Sequence, residues 1–96
     1  MGRLAEIGFA LSDGNRLRIL CVLREGERCV CDVWRFLGLS QNLVSHHLKT
    51  LRDAGLIVSR KDGLKVLYSL NREALDGYVR ELGGYVRKDG RTTRKK

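Results

Sequence analysis

The chain lacks the features that mark membrane and secreted proteins. No apolar run approaches the roughly 18 to 20 residues of a membrane span, and the N-terminus has no charged, apolar and small-residue succession of a secretion signal. A cytoplasmic location is the expectation. Cysteine is scarce and odd in number: Cys21, Cys29 and Cys31 do not make a paired structural disulfide set, and a reducing compartment keeps them as thiols. Metal binding or redox sensing then becomes the question to ask of them. Catalytic patterning is missing as well. The thiols are spaced CxC rather than CxxC, no βαβ pattern surrounds them and no acid-base constellation accompanies them, so neither a dithiol oxidoreductase nor a metalloid reductase is expected.

What the chain does have is positive charge. Its 96 residues carry 19 basic and 11 acidic side chains, a net +8, which makes a polyanion, nucleic acid above all, the first partner to consider. The charge is unevenly placed. Six basic residues and Asp89 give the tail from Arg87 to Lys96 +5, leaving +3 on the rest, so DNA binding has to be argued from pattern. The tail is expected to be disordered, its charge serving solubility or nonspecific DNA contact. Residues 1–86 are long enough for one small domain, which buries a thin core and gains from oligomerisation.

The pattern that carries the argument runs from Ser40 to Leu56, SQNLVSHHLKTLRDAGL. Leu43, Val44, Leu48 and Leu51 recur as a helical stripe, while Gln41, Asn42, Ser45, His46, Lys49 and Arg52 take the remaining directions, with no acid before Asp53. Ser40 is placed to cap this helix and Gly55 to stop it. A short helical segment and a turn, FLGLS, lead into it. That is the layout of a helix-turn-helix whose second helix enters the major groove.

The flanking elements follow the same logic. Leu4, Ile7, Gly8 and Leu11 predict a short amphipathic helix over residues 3–11, for packing or dimerisation. Asp13 is a candidate cap for a core helix over 14–24, in which Leu17, Ile19, Leu20, Val22 and Leu23 are apolar on nearly all sides. Cys21 lies in this helix, and its plain reading is a small buried hydrophobe. In CVCDVWRFLG, Val30, Val33, Trp34 and Leu37 predict a two-turn third helix, with Cys29 near its N-cap and Cys31 and Asp32 in its first turn. The acid there suits the helix dipole.

After Gly55 the period becomes alternating. IVSRK and the run Leu64 to Leu70 read as paired strands with Asp62-Gly63 between them, a basic hairpin or wing with Arg60, Lys61 and Lys65 near its tip. These three can meet phosphates or the minor groove. Asn71 then caps a last helix over 72–86, where Leu75, Tyr78, Val79, Leu82, Tyr85 and Val86 form a wide stripe. Such a stripe packs on its own domain or, as favoured here, on a second copy. Two copies would address half-sites one helical turn apart.

CVCDV followed by FLGLSQNLVSHHLKTLRDAGLIVSRKDGLKVLYSL, with NRLRIL before it, resembles the ArsR/SmtB family of metalloid- and metal-responsive repressors over residues 3 to 86. The resemblance implies a mainly α, winged helix-turn-helix homodimer, joined through its N- and C-terminal helices, that binds double-stranded operator DNA. It further implies repression of a resistance or efflux operon until an inducer binds. By position, Ser40, Gln41, Ser45, His46, His47 and Lys49 become the DNA-reading residues of the recognition helix, and Arg60, Lys61 and Lys65 those of the wing.

Arsenical sensors of that family carry CxCxxC at this point. Cys29 and Cys31 match the first two thiols; the third position is Trp34. As(III) commonly takes three thiolates, so the third donor is either exogenous or Cys21, from the same or the other subunit. On an intact helix two residues apart, Cys29 and Cys31 point about 200° apart, so joint ligation requires the first turn to unwind or Cys29 to lie outside it. Arg28 and the helix N-terminus are expected to lower the thiol pKa values. Both histidines lie in the recognition helix and the terminal helix has none, which disfavours the family's zinc-type site there. The inducer is therefore expected to be As(III) or a related thiophile, then Cd(II) or Pb(II), then an oxidant or sulfide species. A DNA-architectural module with structural cysteines is the alternative outside the sensor class.

Overall fold

A computed structural model describes residues 2–87 of the chain. The basic tail expected from Arg87 onward therefore lies, beyond Arg87 itself, outside the described residues. The elements follow in the order α1 (Gly2–Ala10), α2 (Gly14–Arg24), β1 (Arg28–Cys29), α3 (Val30–Leu37), α4 (Gln41–Asp53), β2 (Ile57–Asp62), β3 (Lys65–Leu70) and α5 (Arg72–Arg87). The fold is mainly helical with a small antiparallel sheet of strand order β1-β3-β2. It is a winged helix-turn-helix.

The caps explain where the helices begin. Asp13, extended at φ −123°, accepts from the backbone N–H groups of Asn15 and Arg16 and starts α2. Ser40 Oγ accepts from Leu43 N at 3.2 Å and starts α4. At its far end α4 stops at Gly55, whose φ of +80° favours glycine and whose Cα approaches Arg3 so closely that an added Cβ would stand 2.7 Å from Nη2. Asn71 joins this end to α5: its Nδ2 donates to Gly55 O at 2.9 Å and its Oδ1 accepts from Ala74 N at 3.2 Å.

The core lies where α2, α3 and α4 converge on the root of the sheet. Ile19, Leu23, Val33, Val44, Leu48, Leu51, Leu56 and Ile57 are its largest fully buried side chains. Each such side chain contributes about 1.5 to 3 kcal/mol when removed from water, so the rigid part of the molecule is the platform under α4.

Three expectations are corrected, and one element was not anticipated. Leu17 and Cys21 sit on the outer side of α2 and are exposed rather than core, because the buried stripe of that helix is Arg16, Ile19, Val22 and Leu23. Leu43, assigned to the apolar stripe of α4, is exposed at 39%. The hairpin turn is Gly63-Leu64 rather than Asp62-Gly63, because Asp62 is already paired with Lys65; Leu64, expected in the strand, is fully exposed at the tip. Finally, Arg28 and Cys29 form a third strand opposite Tyr68 and Leu67. Two residues are too short a run for an alternating pattern to reveal.

Candidate functional site

The face expected to read DNA lies on α4. Ser40, Gln41, Ser45, His46 and Lys49 are all exposed, while Val44, His47, Leu48 and Leu51 are buried beneath them. Lys49 Nζ pairs with Asp53 at 2.9 Å, an i,i+4 contact on the solvent side. On the wing, Lys61 and Lys65 are exposed, but Arg60 is engaged. Its Nε and Nη2 donate to the two carboxylate oxygens of Glu27 at 2.7 and 2.8 Å. This two-pronged pair holds the Glu27 carboxyl below the ordinary range and raises Arg60.

His47 is the principal correction among the expected DNA-reading residues. It is only 5% exposed and faces inward, against Arg16, itself 7% exposed. Arg16 Nε donates to Ala10 O at 2.6 Å, Nη2 to Phe9 O at 3.2 Å, and Nη1 lies 3.3 Å from His47 Nδ1. Arginine has no acceptor, so Nδ1 must accept and the neutral ring carries its proton on Nε2, which points to Asp13 Oδ1 at 3.9 Å. Burial holds the His47 pKa down; Asp13 works against this and Arg16 with it. One guanidinium thus ties the last carbonyls of α1 to the recognition helix. The signal was available: positions 44, 47, 48 and 51 have the i, i+3, i+4, i+7 spacing of a buried stripe.

The thiol cluster forms where β1 turns into α3. Cys29 is the N-cap of α3, extended at φ −82°, ψ 163°. It therefore lies outside the helix, the second of the two conditions under which its thiol can meet that of Cys31. The sulfurs approach to 2.6 Å. One donor atom each from Cys29, Cys31 and Asp32 fall within 4.8 Å of one another, with Cys29 buried, Cys31 half-buried and Asp32 exposed. Asp32 was read from sequence only as a helix-dipole acid. Its place three residues after the N-cap is the position from which a side chain reaches back over the first turn.

One further expectation for the thiols does not hold. The Cys29 pKa is raised, not lowered: the hydrogen bond with the Cys31 thiol is the main cause, burial adds to it, and the Asp32 amide only partly offsets them. Arg28 gives no help because its Nη1 donates to Glu27 O at 2.9 Å. Cys21 is not among the residues of this chain whose donor atoms gather at the start of α3. It lines a groove of about 340 Å³ with Val22, Arg24, Glu25, Arg28 and Phe36. Trp34, in the third-thiol position, packs half-buried against the core.

Comparison with known proteins agrees with this geometry. The family described as bacterial regulatory protein, arsR family, matches residues 13–59. The chain is similar to an arsenical resistance operon repressor from Staphylococcus aureus, 46% identical over 79 residues, spanning 82% of this chain and 76% of the relative. A cadmium resistance transcriptional regulatory protein CadC homolog from Staphylococcus aureus is 45% identical over 71 residues, 73% of this chain and 59% of that protein. Among solved structures, an ArsR-like transcriptional regulator from Rhodococcus sp. RHA1 superposes with a TM-score of 0.82 at 28% identity, covering 88% of this chain and 79% of the other.

Proposed function

The chain belongs to the arsR family of bacterial regulatory proteins, and from that premise we propose that it represses a metalloid or metal resistance operon and releases its operator when a thiophilic inducer, As(III) or a similar species, binds Cys29 and Cys31. One observation carries the reading. The two thiols meet at 2.6 Å at the start of α3, and α3 packs directly against the recognition helix α4. DNA binding falls to the exposed residues Ser40, Gln41, Ser45, His46 and Lys49, with Lys61 and Lys65 on the wing; His47 is not among them.

The same geometry supports a mechanism. Because Cys29 already lies outside the helix, ligation does not require α3 to unwind. An ion held by both sulfurs would link the end of β1 to the first turn of α3. Ligation would therefore act on that turn and on β1, which is paired with the wing strand β3. Both DNA-contacting elements therefore feel the inducer. For a hundredfold loss of operator affinity, the inducer must favour the DNA-incompetent form by about 3 kcal/mol.

The operator-binding unit is a homodimer in this reading. Val79, Leu82, Tyr85 and Val86 of α5 are exposed and repeat at three and four residues, and α5 lies beside α1. A second copy covers that stripe and sets two recognition helices about 34 Å apart.

The close sulfurs also favour a second reading, in which an oxidant is the signal: a peroxide takes two electrons and two protons from the thiols, giving a Cys29–Cys31 disulfide and water. The raised Cys29 pKa weighs against it, because the thiolate is the reacting species. A metal ion deprotonates its own thiol ligands and meets a lesser barrier. The deciding experiment is an operator-binding titration of wild type, Cys29→Ser and Cys31→Ser against As(III), Cd(II) and peroxide. Wild type should lose affinity with As(III) or Cd(II), and both variants should bind DNA without responding. Unchanged affinity with the inducer bound at saturation overturns the mechanism.

A further inference from the structure

We propose that Arg16 and His47 are positioning residues for DNA binding: the neutral His47 ring accepts from Arg16 and fixes α4 against the end of α1, and a proton on that ring undoes the tie and lowers DNA affinity. The proposal rests on the reading of α4 as the DNA-reading helix and adds how that helix is held.

Three helices meet at one guanidinium. Arg16 stands in the first turn of α2. Its Nε and Nη2 donate to Ala10 O and Phe9 O at the end of α1, at 2.6 and 3.2 Å, and Nη1 lies 3.3 Å from His47 Nδ1 of α4. The last carbonyls of a helix have no amide of their own to accept from, and the guanidinium holds its partners in a rigid planar fork. A shift of α4 against α1 therefore breaks one bond or another. Little else fills this seam further along: Glu6, Phe9 and Ala10 face Thr50, Asp53 and Ala54 across a groove of about 180 Å³. Because α1 lies beside α5, and these two helices are assigned to the dimer contact, the tie also sets where each recognition helix stands relative to its twin.

The tie exists in one protonation state of the ring. Arg16 has no acceptor, so a proton on Nδ1 sets donor against donor and cation against cation. The charged and titratable groups facing the ring are Arg16 and Asp13 from α2 and His46 from α4, whose ring centroid lies 5.9 Å away. Asp13 Oδ1, 3.9 Å from Nε2, draws the other way, but that oxygen already accepts from the amides of Asn15 and Arg16. Burial, the main cause, keeps the tied ring below its ordinary 6.5. Release restores the ordinary value, so the tied form prevails above 6.5 and loses ground as pH falls towards the lowered value. Affinity should fall by up to about tenfold per chain for each unit between the two values.

The test uses the full chain and a DNA duplex selected by wild type from a random pool at neutral pH. Affinity is measured by fluorescence anisotropy at constant ionic strength, and circular dichroism checks the fold at each pH. Wild type should weaken by about tenfold between about pH 7.5 and 5.5. His47→Gln offers Arg16 an amide oxygen that does not titrate, so it should bind as wild type does at neutral pH and show a flat profile. A proton on exposed His46 favours DNA, the opposite sign, so the profile is repeated in His46→Ala, where the acid loss should deepen. Arg16→Lys keeps the charge without the fork and should weaken binding at neutral pH by about 2- to 30-fold.

A merely structural tie would lower Tm in acid and leave the affinity of the folded chain unchanged. Parallel pH profiles in wild type and His47→Gln, or wild-type affinity in a folded Arg16→Lys, overturn the proposal. Tight wild-type binding that stays flat across pH removes the proposal alone. A pool that yields no bound duplex removes the DNA reading of α4 and the proposal with it.

Discussion

At the start of α3, Cys29, Cys31 and Asp32 gather two thiols and a carboxylate within 4.8 Å. Beneath α4, Arg16, His47 and Asp13 gather a donor, an acceptor and a carboxylate whose bonding demands meet each other. The guanidinium reaches two backbone carbonyls and the His47 ring, and Asp13 caps α2 while facing His47. The first cluster has bonding capacity to spare and reaches solvent through Asp32 and Cys31, with Cys29 buried. The second has used its capacity, with Arg16 and His47 buried. Polar groups brought together in excess of one another suit a ligand; polar groups that satisfy one another fix the position of a helix.

The largest expected effect breaks the buried side of this contrast. Arg16→Ala strips the partners from Ala10 O, Phe9 O and His47 Nδ1, and should destabilise the fold by roughly 3 kcal/mol. For a domain of this size that is a fall in Tm on the order of 15 °C, read by thermal denaturation. Cys31→Ser, a change to a half-buried group in the open cluster, should stay within about 0.5 kcal/mol. Equal losses in the two variants would mean that the thiol cluster is structural.

Adjacent histidines sharpen the comparison at the next level down. His47→Leu keeps the volume but leaves Arg16 Nη1 without its acceptor, and should lower stability by about 1 to 2 kcal/mol. His46→Ala, one residue earlier and exposed, should leave Tm unchanged and weaken operator binding by about fivefold, the equivalent of one hydrogen bond of roughly 1 kcal/mol. If His47→Leu instead weakened DNA binding at full stability, the inward assignment of that ring would be wrong.

Protons probe both clusters at once, with opposite sign. His47 is held below its ordinary 6.5, so the unfolded chain takes up the proton first. The stability it contributes is present above that value and is lost as pH falls through the lowered folded value. Cys29 is raised above its ordinary 9.0, so its contribution is present below 9.0 and is lost as pH rises through the raised folded value. Denaturation across pH should therefore show an acid edge that His47→Gln removes and an alkaline edge that Cys29→Ser removes. If either variant removed the other edge, the assignments would be exchanged.

The two clusters also differ in how far the sequence revealed them. The CVCDV run announced the thiols by spacing, and Asp13, Ser40, Gly55 and Asn71 announced the helix ends, because caps and stops are local. What escaped was non-local. His47 looked like a groove residue because histidine is polar; its place in the buried stripe was readable from spacing, but its partner Arg16, 31 positions away, was not. The strand at Arg28–Cys29 exists because β3 lies beside it, and the raised Cys29 pKa depends on a thiol contact that follows from that turn of chain. The wing's composition was plain, but not that Glu27, 33 positions before Arg60, occupies its guanidinium.

That last contact gives the smallest effect and links the wing to the loop that precedes the thiols. Glu27 lies directly before β1 and Cys29, and it holds Arg60 of the wing through both carboxylate oxygens. Both side chains are at the surface, so the pair matters little to stability; its consequence is that Arg60 is unavailable to phosphate while Glu27 holds it. Glu27→Gln removes the charge and keeps the shape. The freed Arg60 should add one phosphate contact, steepening the slope of log affinity against log salt by about 0.9. Operator binding should tighten most at low salt, with Tm unchanged. An unaltered slope would show that Arg60 makes no phosphate contact in either state, leaving Lys61 and Lys65 as the cations of the wing. A steeper slope would show that the loop carrying the thiols also restrains a DNA-binding side chain, so that movement of Cys29 on inducer binding reaches the wing through Glu27 as well as through β1.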